Sequence, residues 1–136
     1  MTPHQSSSSI NTITCIGAGN VGRSWAIAFA RGGHAVRVFD LSAEALTGAK
    51  TAIQTSLKDL ASYSLIEDES AIDARISYGE DLAWALDGTD YVQESIGEQI
   101  DLKVKIFTEL DEKAPPHAIL ASSTSALAPE DFLKTP

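Results

Sequence analysis

Apolar positions along the chain fall into two alternating patterns. Short runs rich in β-branched and aromatic residues, such as Ile13-Thr14-Cys15-Ile16 and Ala35-Val36-Arg37-Val38-Phe39, predict strands near residues 11–16, 35–39, 75–78, 90–95 and 118–122. Between them the spacing lengthens to that of helices, predicted near 20–31, 42–63, 80–86, 99–113 and 129–134. In the first helix Val21, Trp25, Ala28 and Phe29 share a face. In the second, Leu46, Ala49, Ile53, Leu57 and Leu60 do so, and in the fourth Ile100, Val104, Phe107 and Leu110. Each stripe reads as core packing against a sheet. Glu67 to Asp73 is short and acidic, and its pattern fits a helical turn or a loop equally well. Pro115-Pro116 ends the fourth helix. Strand and helix alternate without an internal repeat, which predicts an α/β fold: a doubly wound parallel sheet with helices on both faces.

Composition narrows the partners. The 136 residues carry 10 Lys and Arg against 19 Asp and Glu, a formal charge of −9. A phosphate backbone or an anionic membrane needs clustered cations, so neither nucleic acid nor a membrane is expected as a partner. Cys15 is the only cysteine, which rules out an internal disulfide and a cysteine metal cluster; no metal site is expected. It lies inside the first predicted strand and reads as a small buried apolar residue. Residues 1–9, with the run Ser6 to Ser9, lack the apolar centre of a signal peptide and read as a disordered tail. A single domain over residues 10–136 in a cytoplasmic protein is the expectation.

Candidate chemistry lies at the end of the first strand. Gly17, Ala18, Gly19, Asn20, Val21 and Gly22 form a G-x-G-x-x-G turn into the first helix. Gly17 allows a sharp exit from the strand, Gly19 lets a pyrophosphate approach the backbone, and Gly22 lets helix and strand pack closely. The helix N-terminus favours negative charge. Three glycines alone are weak evidence, since they can mark a plain loop. Here they follow an apolar strand, and a second strand ends in Asp40, eighteen residues past Gly22. This is the pattern of a Rossmann-type dinucleotide site, with Asp40 accepting from the adenine ribose. The alternative for Asp40 is a cap for the helix starting near Ser42. A carboxylate there repels a 2′-phosphate, and the next residue is Leu41 rather than an arginine. The expected cofactor is NAD, not NADP.

The stretch Ile16 to Asp40, IGAGNVGRSWAIAFARGGHAVRVFD, resembles the start of the 3-hydroxyacyl-CoA dehydrogenase family. Its RSWA continuation is most similar to the lambda-crystallin (L-gulonate 3-dehydrogenase) branch. DYVQESIGEQIDLKVKIFTEL, from Asp90, resembles the family's run after the fourth strand, and ILASSTSAL, from Ile119, resembles its ASNTS-type loop. The resemblance implies that residues 17–22 line the pyrophosphate turn and that Asp40 holds the adenine ribose. It also implies that Glu98 and Lys103 contact NAD, and that Ser125 lies beside the nicotinamide and the substrate's 3-hydroxyl. On spacing alone Glu98 reads as a helix N-terminal acid, Lys103 as an exposed charge, and Ser122 to Ser125 as a polar turn. Two positions depart from the family. Ser123 stands where asparagine is common. Ser56 matches a CoA-contacting serine of the second helix, but Tyr63 falls where a lysine is expected. The departure at Tyr63 favours a smaller 3-hydroxy acid over an acyl-CoA.

The family's catalytic histidine belongs to an H-x-x-N-P stretch beyond the ASNTS-type loop, and no such stretch precedes Pro136. His4 lies in the tail, and His34 and His117 precede strands, at the wrong end of the sheet. The expectation is a chain that binds NAD and alone turns over negligibly. Its parent is expected to act on a small-molecule 3-hydroxy substrate and to form a homodimer through a further helical domain. Two other readings stand beside this one: a non-catalytic, crystallin-like structural or nucleotide-binding module, and an S-adenosylmethionine methyltransferase. The full glycine spacing and the two later matches argue against the methyltransferase.

Overall fold

The computed structural model describes residues 11–96 and 100–122. Five strands, β1 (Thr12–Ile16), β2 (Ala35–Phe39), β3 (Ile76–Gly79), β4 (Tyr91–Glu94) and β5 (Ile119–Ser122), form one sheet in the order β3-β2-β1-β4-β5. All four pairings are parallel. The helices are α1 (Asn20–Arg31), α2 (Ala43–Ser62), α3 (Glu69–Ala74), α4 (Leu82–Leu86) and α5 (Ile100–Lys113). The expected elements are present to within two residues at each end, and the acidic segment left open between helix and loop forms α3. Asp68 caps α3, its side chain accepting the Ala71 N–H at 3.0 Å. The helix expected near 129–134 and the tail lie outside the described residues.

β1 sits at the centre because both of its faces are buried, as a parallel strand covered on two sides requires. Ile13 and Cys15 join Val36, Val38 and Ile76 under α1 and α2. Ile16 joins Phe39 and Val92 under α4 and α5. The sheet therefore separates two apolar clusters. Thr14 is fully buried on the second face, where its hydroxyl donates to the Ala85 carbonyl at 2.5 Å. Arg37 extends from β2 on that face and donates to the carbonyls of Trp84 and Asp87 at the end of α4.

The α2 stripe packs as its spacing predicts: Leu46, Ala49, Ile53 and Leu57 are buried and Leu60 half-buried. At roughly 1.5–3 kcal/mol for each large side chain removed from water, this face anchors α2. In α5, Leu110 is buried and Val104 and Phe107 are half-buried. The deeper residue beside Leu110 is Ile106, which the expected stripe omitted; the side chain of Ile100 lies outside the described part. The face expected for α1 is corrected. Its buried residues are Gly22, Ala26 and Ala30, while Val21, Trp25 and Ala28 are exposed and Phe29 is half-buried. The helix lies so close to the β1 turn that only minimal side chains fit beneath it. The large residues flank the contact instead: Trp25 stacks on Phe29 at 5.3 Å, and Phe29 meets Tyr91 edge-on at 5.7 Å. Among the described residues, no helix is long and apolar enough to cross a membrane.

Candidate functional site

The carboxyl ends of β1, β2 and β4 open onto a cleft of about 450 Å³. Gly17, Ala18 and Gly19 form its floor, Asp40, Leu41 and Ser42 one wall, and Ser95, Ile96 and Ile106 the other. An open parallel sheet places ligands in such a crevice.

The turn after β1 is shaped by close backbone contacts. Gly17 has φ of 110°, a left-handed conformation that favours glycine, and a Cβ there would stand 2.8 Å from the Ser95 carbonyl oxygen. A Cβ on Gly22 would lie 2.0 Å from the Gly17 oxygen. Gly19 differs, since a Cβ there would meet nothing within 4 Å. The fold leaves that space open. Gly19 is also the N-cap of α1, with no side-chain hydrogen bond capping the helix and no acid in its first turn. Peptide donors and the positive end of a twelve-residue helix thus point toward the cleft.

Asp40 is half-buried at the end of β2. Its Oδ2 accepts the Ala18 N–H at 3.0 Å, and its Oδ1 accepts the Ser42 N–H at 2.9 Å. Capping of α2 falls to Ser42, whose hydroxyl accepts the Ala45 N–H at 3.0 Å. Asp40 is therefore not the N-cap; its carboxylate is fixed at the cleft edge and tied to the glycine turn. Leu41, next to it, is 67% exposed, and among the described residues no cationic side chain lines the cleft.

The other expected site residues divide by position. Ala18 is buried, and Asn20 and Val21 are exposed on the first turn of α1. The Asn20 side-chain oxygen accepts from the Arg23 guanidinium. Lys103 falls in the first turn of α5, with its side chain outside the described part. Glu98 and Ser125 lie outside the described residues. Ser56 lines a groove between α1 and α2 with Arg23 and Ser24, and Tyr63, just past α2, is 76% exposed. Ile96, Ile106 and the buried Glu94 were not singled out from the sequence. The one signal for Glu94 was a carboxylate closing an otherwise buried strand.

Two titratable groups lie away from the cleft chemistry. Burial pushes the Cys15 thiol up to about 12, so it is an inert core residue. Asp90 lies at the opposite end of the sheet. Burial works against its ionisation, but the Thr12 and Asn11 amides and His117 together hold its carboxyl below the ordinary range. His117 Nε2 is 2.9 Å from Asp90 Oδ1, so this histidine supports strand ends remote from the cleft. Among the described residues, no three His, Cys, Asp or Glu side chains are grouped to hold a metal ion.

A bare turn at Gly19, an uncapped helix start and a carboxylate at the end of the neighbouring strand fit a dinucleotide. Fold and cleft together define a Rossmann-type dinucleotide-binding domain. Residues 12–135 match the family model described as 3-hydroxyacyl-CoA dehydrogenase, NAD binding domain. The chain is 36% identical over 120 residues to lambda-crystallin from Oryctolagus cuniculus, covering 86% of this chain and 38% of that protein. It is 34% identical over 123 residues to an L-carnitine dehydrogenase/betainyl-CoA thioesterase from Ruegeria pomeroyi, covering 90% of this chain and 25% of that one. Its fold superposes on 3-hydroxybutyryl-CoA dehydrogenase from Escherichia coli K12 with a TM-score of 0.86 at 29% identity, covering 93% of this chain and 27% of that one. The chain belongs to the 3-hydroxyacyl-CoA dehydrogenase family, on the lambda-crystallin branch, and is an NAD-binding domain of that family. It spans well under half the length of these relatives.

Proposed function

We propose that the domain, with boundaries near residues 10 and 136, holds NAD for hydride transfer to and from C3 of a 3-hydroxy acid or 3-hydroxyacyl-CoA. The observation that carries this reading is the convergence of the glycine turn and Asp40 on one cleft. In it, the peptide N–H groups from Gly19 into the first turn of α1 bind the diphosphate, while those of Gly17 and Ala18 donate to Phe39 and Asp40. Asp40, partly open to the cleft, turns an oxygen to the adenine ribose hydroxyls. Leu41 offers no cation for a 2′-phosphate, which selects NAD over NADP. Bound NAD supplies the hydride acceptor.

The family resemblance assigns Glu98 and Lys103 to further NAD contacts and Ser125 to the substrate hydroxyl. The general base, a histidine in that family, belongs to an H-x-x-N-P stretch absent from these 136 residues. This chain alone is therefore proposed to bind cofactor without appreciable turnover. Tyr63 in place of the expected lysine supports a small 3-hydroxy acid over a CoA ester. A homodimeric, cytoplasmic parent completes the proposal.

Titration of the chain with NADH, NADPH and S-adenosylmethionine tests it. NADH is expected to bind tightest. Tighter NADPH binding would refute the role of Asp40, and binding of S-adenosylmethionine alone would refute the cofactor assignment.

A further inference from the structure

A second carboxylate lies behind the wall of the cleft, and none of the roles above uses it. Glu94 ends β4 and is fully buried, at 0% exposure. Strand register sets it between Ile16 of β1 and Ser122 of β5, on the face covered by α4 and α5. Its Oε2 accepts the Ile96 N–H at 2.5 Å, and its Oε1 accepts the Ser122 hydroxyl at 2.7 Å. A carboxylate is retained in such a place only when its oxygens are bonded, and bonds to a charged acceptor are among the stronger ones.

Asp40 and Glu94 flank β1 from opposite sides, Glu94 level with Ile16 and Phe39, and Asp40 one residue beyond that level. Each closes a strand, accepts the backbone N–H two residues further on, and accepts a second donor from a neighbouring segment. They differ in access. Asp40 lines the cleft, whereas Glu94 is sealed and cannot touch a ligand. Glu94 acts through what it holds: Ile96, which forms the far wall, and Ser122, where β5 ends.

A dinucleotide with its adenosine toward β2 and its diphosphate at the β1 turn must lay its other half over the ends of β4 and β5. We propose that Glu94 is a positioning residue for the nicotinamide half of the cofactor. It clamps the exits of β4 and β5 together, so the wall at Ile96 stands preformed when that half arrives. The inference rests on the NAD site proposed above. It adds that affinity for the nicotinamide half depends on Glu94, while affinity for the adenosine half does not.

The test compares NADH with ADP-ribose, which lacks the nicotinamide, on the chain and three variants, with thermal melts alongside. Glu94→Ala is expected to weaken NADH by about tenfold or more and ADP-ribose by no more than about twofold. Glu94→Gln restores NADH to within about threefold of wild type, because the amide oxygen still accepts from Ile96 and the amide N–H meets the Ser122 oxygen. Ser122→Ala removes one tie and is expected to weaken NADH alone, by about threefold to fivefold. Parallel loss of both ligands in Glu94→Ala, or Glu94→Gln no better than Glu94→Ala, would overturn the proposal. If Glu94→Ala does not fold, Ser122→Ala decides: a loss confined to NADH upholds the clamp, and an equal loss or none overturns it. Wild-type chain that binds neither ligand refutes the NAD site itself, a result distinct from any of these patterns.

Discussion

The Asp40 carboxylate accepts the Ala18 amide proton at 3.0 Å, joining the end of β2 to the glycine turn after β1 across 22 residues of chain. The two segments proposed to hold the sugar and the diphosphate are thus held in one geometry before any ligand arrives. Such preorganisation lowers the ordering cost of binding.

Replacing this carboxylate tests the tie and the sugar contact together. Asp40→Ala removes the acceptor for Ala18 and Ser42 and, in the proposed site, for the ribose. Loss of a hydrogen bond to a charged group costs about 1.5–3 kcal/mol, so NADH affinity is expected to fall roughly 10- to 150-fold. Asp40→Asn, which keeps an oxygen, is expected to lose less. Fluorescence titration with NADH checks both variants.

The two glycines of the turn predict opposite outcomes. Gly19→Ala adds a methyl to open space, so thermal stability is expected to hold or rise slightly while NADH binding weakens. Gly22→Ala drives a methyl to 2.0 Å from the Gly17 oxygen, and its overpacking is expected to cost about 1–3 kcal/mol or more of stability. Melting curves paired with NADH titrations separate the two.

Cofactor choice is expected to follow the residues at the end of β2. Leu41→Arg alone leaves the Asp40 charge in place and is expected to improve NADPH binding little. Asp40→Ser with Leu41→Arg removes the repulsion and adds a cation, and is expected to raise the NADPH/NADH affinity ratio by about tenfold or more. An unchanged ratio in the double variant would show that the 2′ position is read elsewhere.

The Cys15 thiol supplies a pH prediction. Burial raises its folded pKa from 9.0 to about 12, so the folded state keeps a proton that the unfolded state loses. The associated stability is complete below pH 9 and is lost as pH rises toward 12. Burial, with the Asp73 charge, raises Tyr78 in the same sense. Iodoacetamide at pH 8 is expected to spare Cys15 in the native chain and to alkylate it rapidly in denaturant.

Strand positions were legible because the β-branched runs at Ile13 and Val36 are local signals, and the glycine turn with Asp40 pointed to the cleft that Gly17, Gly19 and Asp40 line. The buried face of α1 was not legible. Helical spacing groups Val21, Trp25 and Phe29, but the distance from helix to sheet is set by Gly22 against Gly17, a tertiary contact that admits only Ala26 and Ala30 below. The acidic segment before Arg75 lacked an apolar stripe, and its helix shows only in the Asp68 cap and the burial of Ile72. The ties of Asp40 to Ala18 and of Glu94 to Ser122 span 22 and 28 residues, so no window of sequence contains them.

Backbone amide shifts of the labelled chain during addition of NAD test the central claim most directly. The largest changes are predicted at Gly17 to Gly22, at Asp40 to Ser42 and at Ile96, with the Ala18 amide shifting as the ribose joins it on the Asp40 carboxylate. Changes centred instead on Asp90 and His117 at the opposite end of the sheet, or none at saturating NAD, would contradict the account.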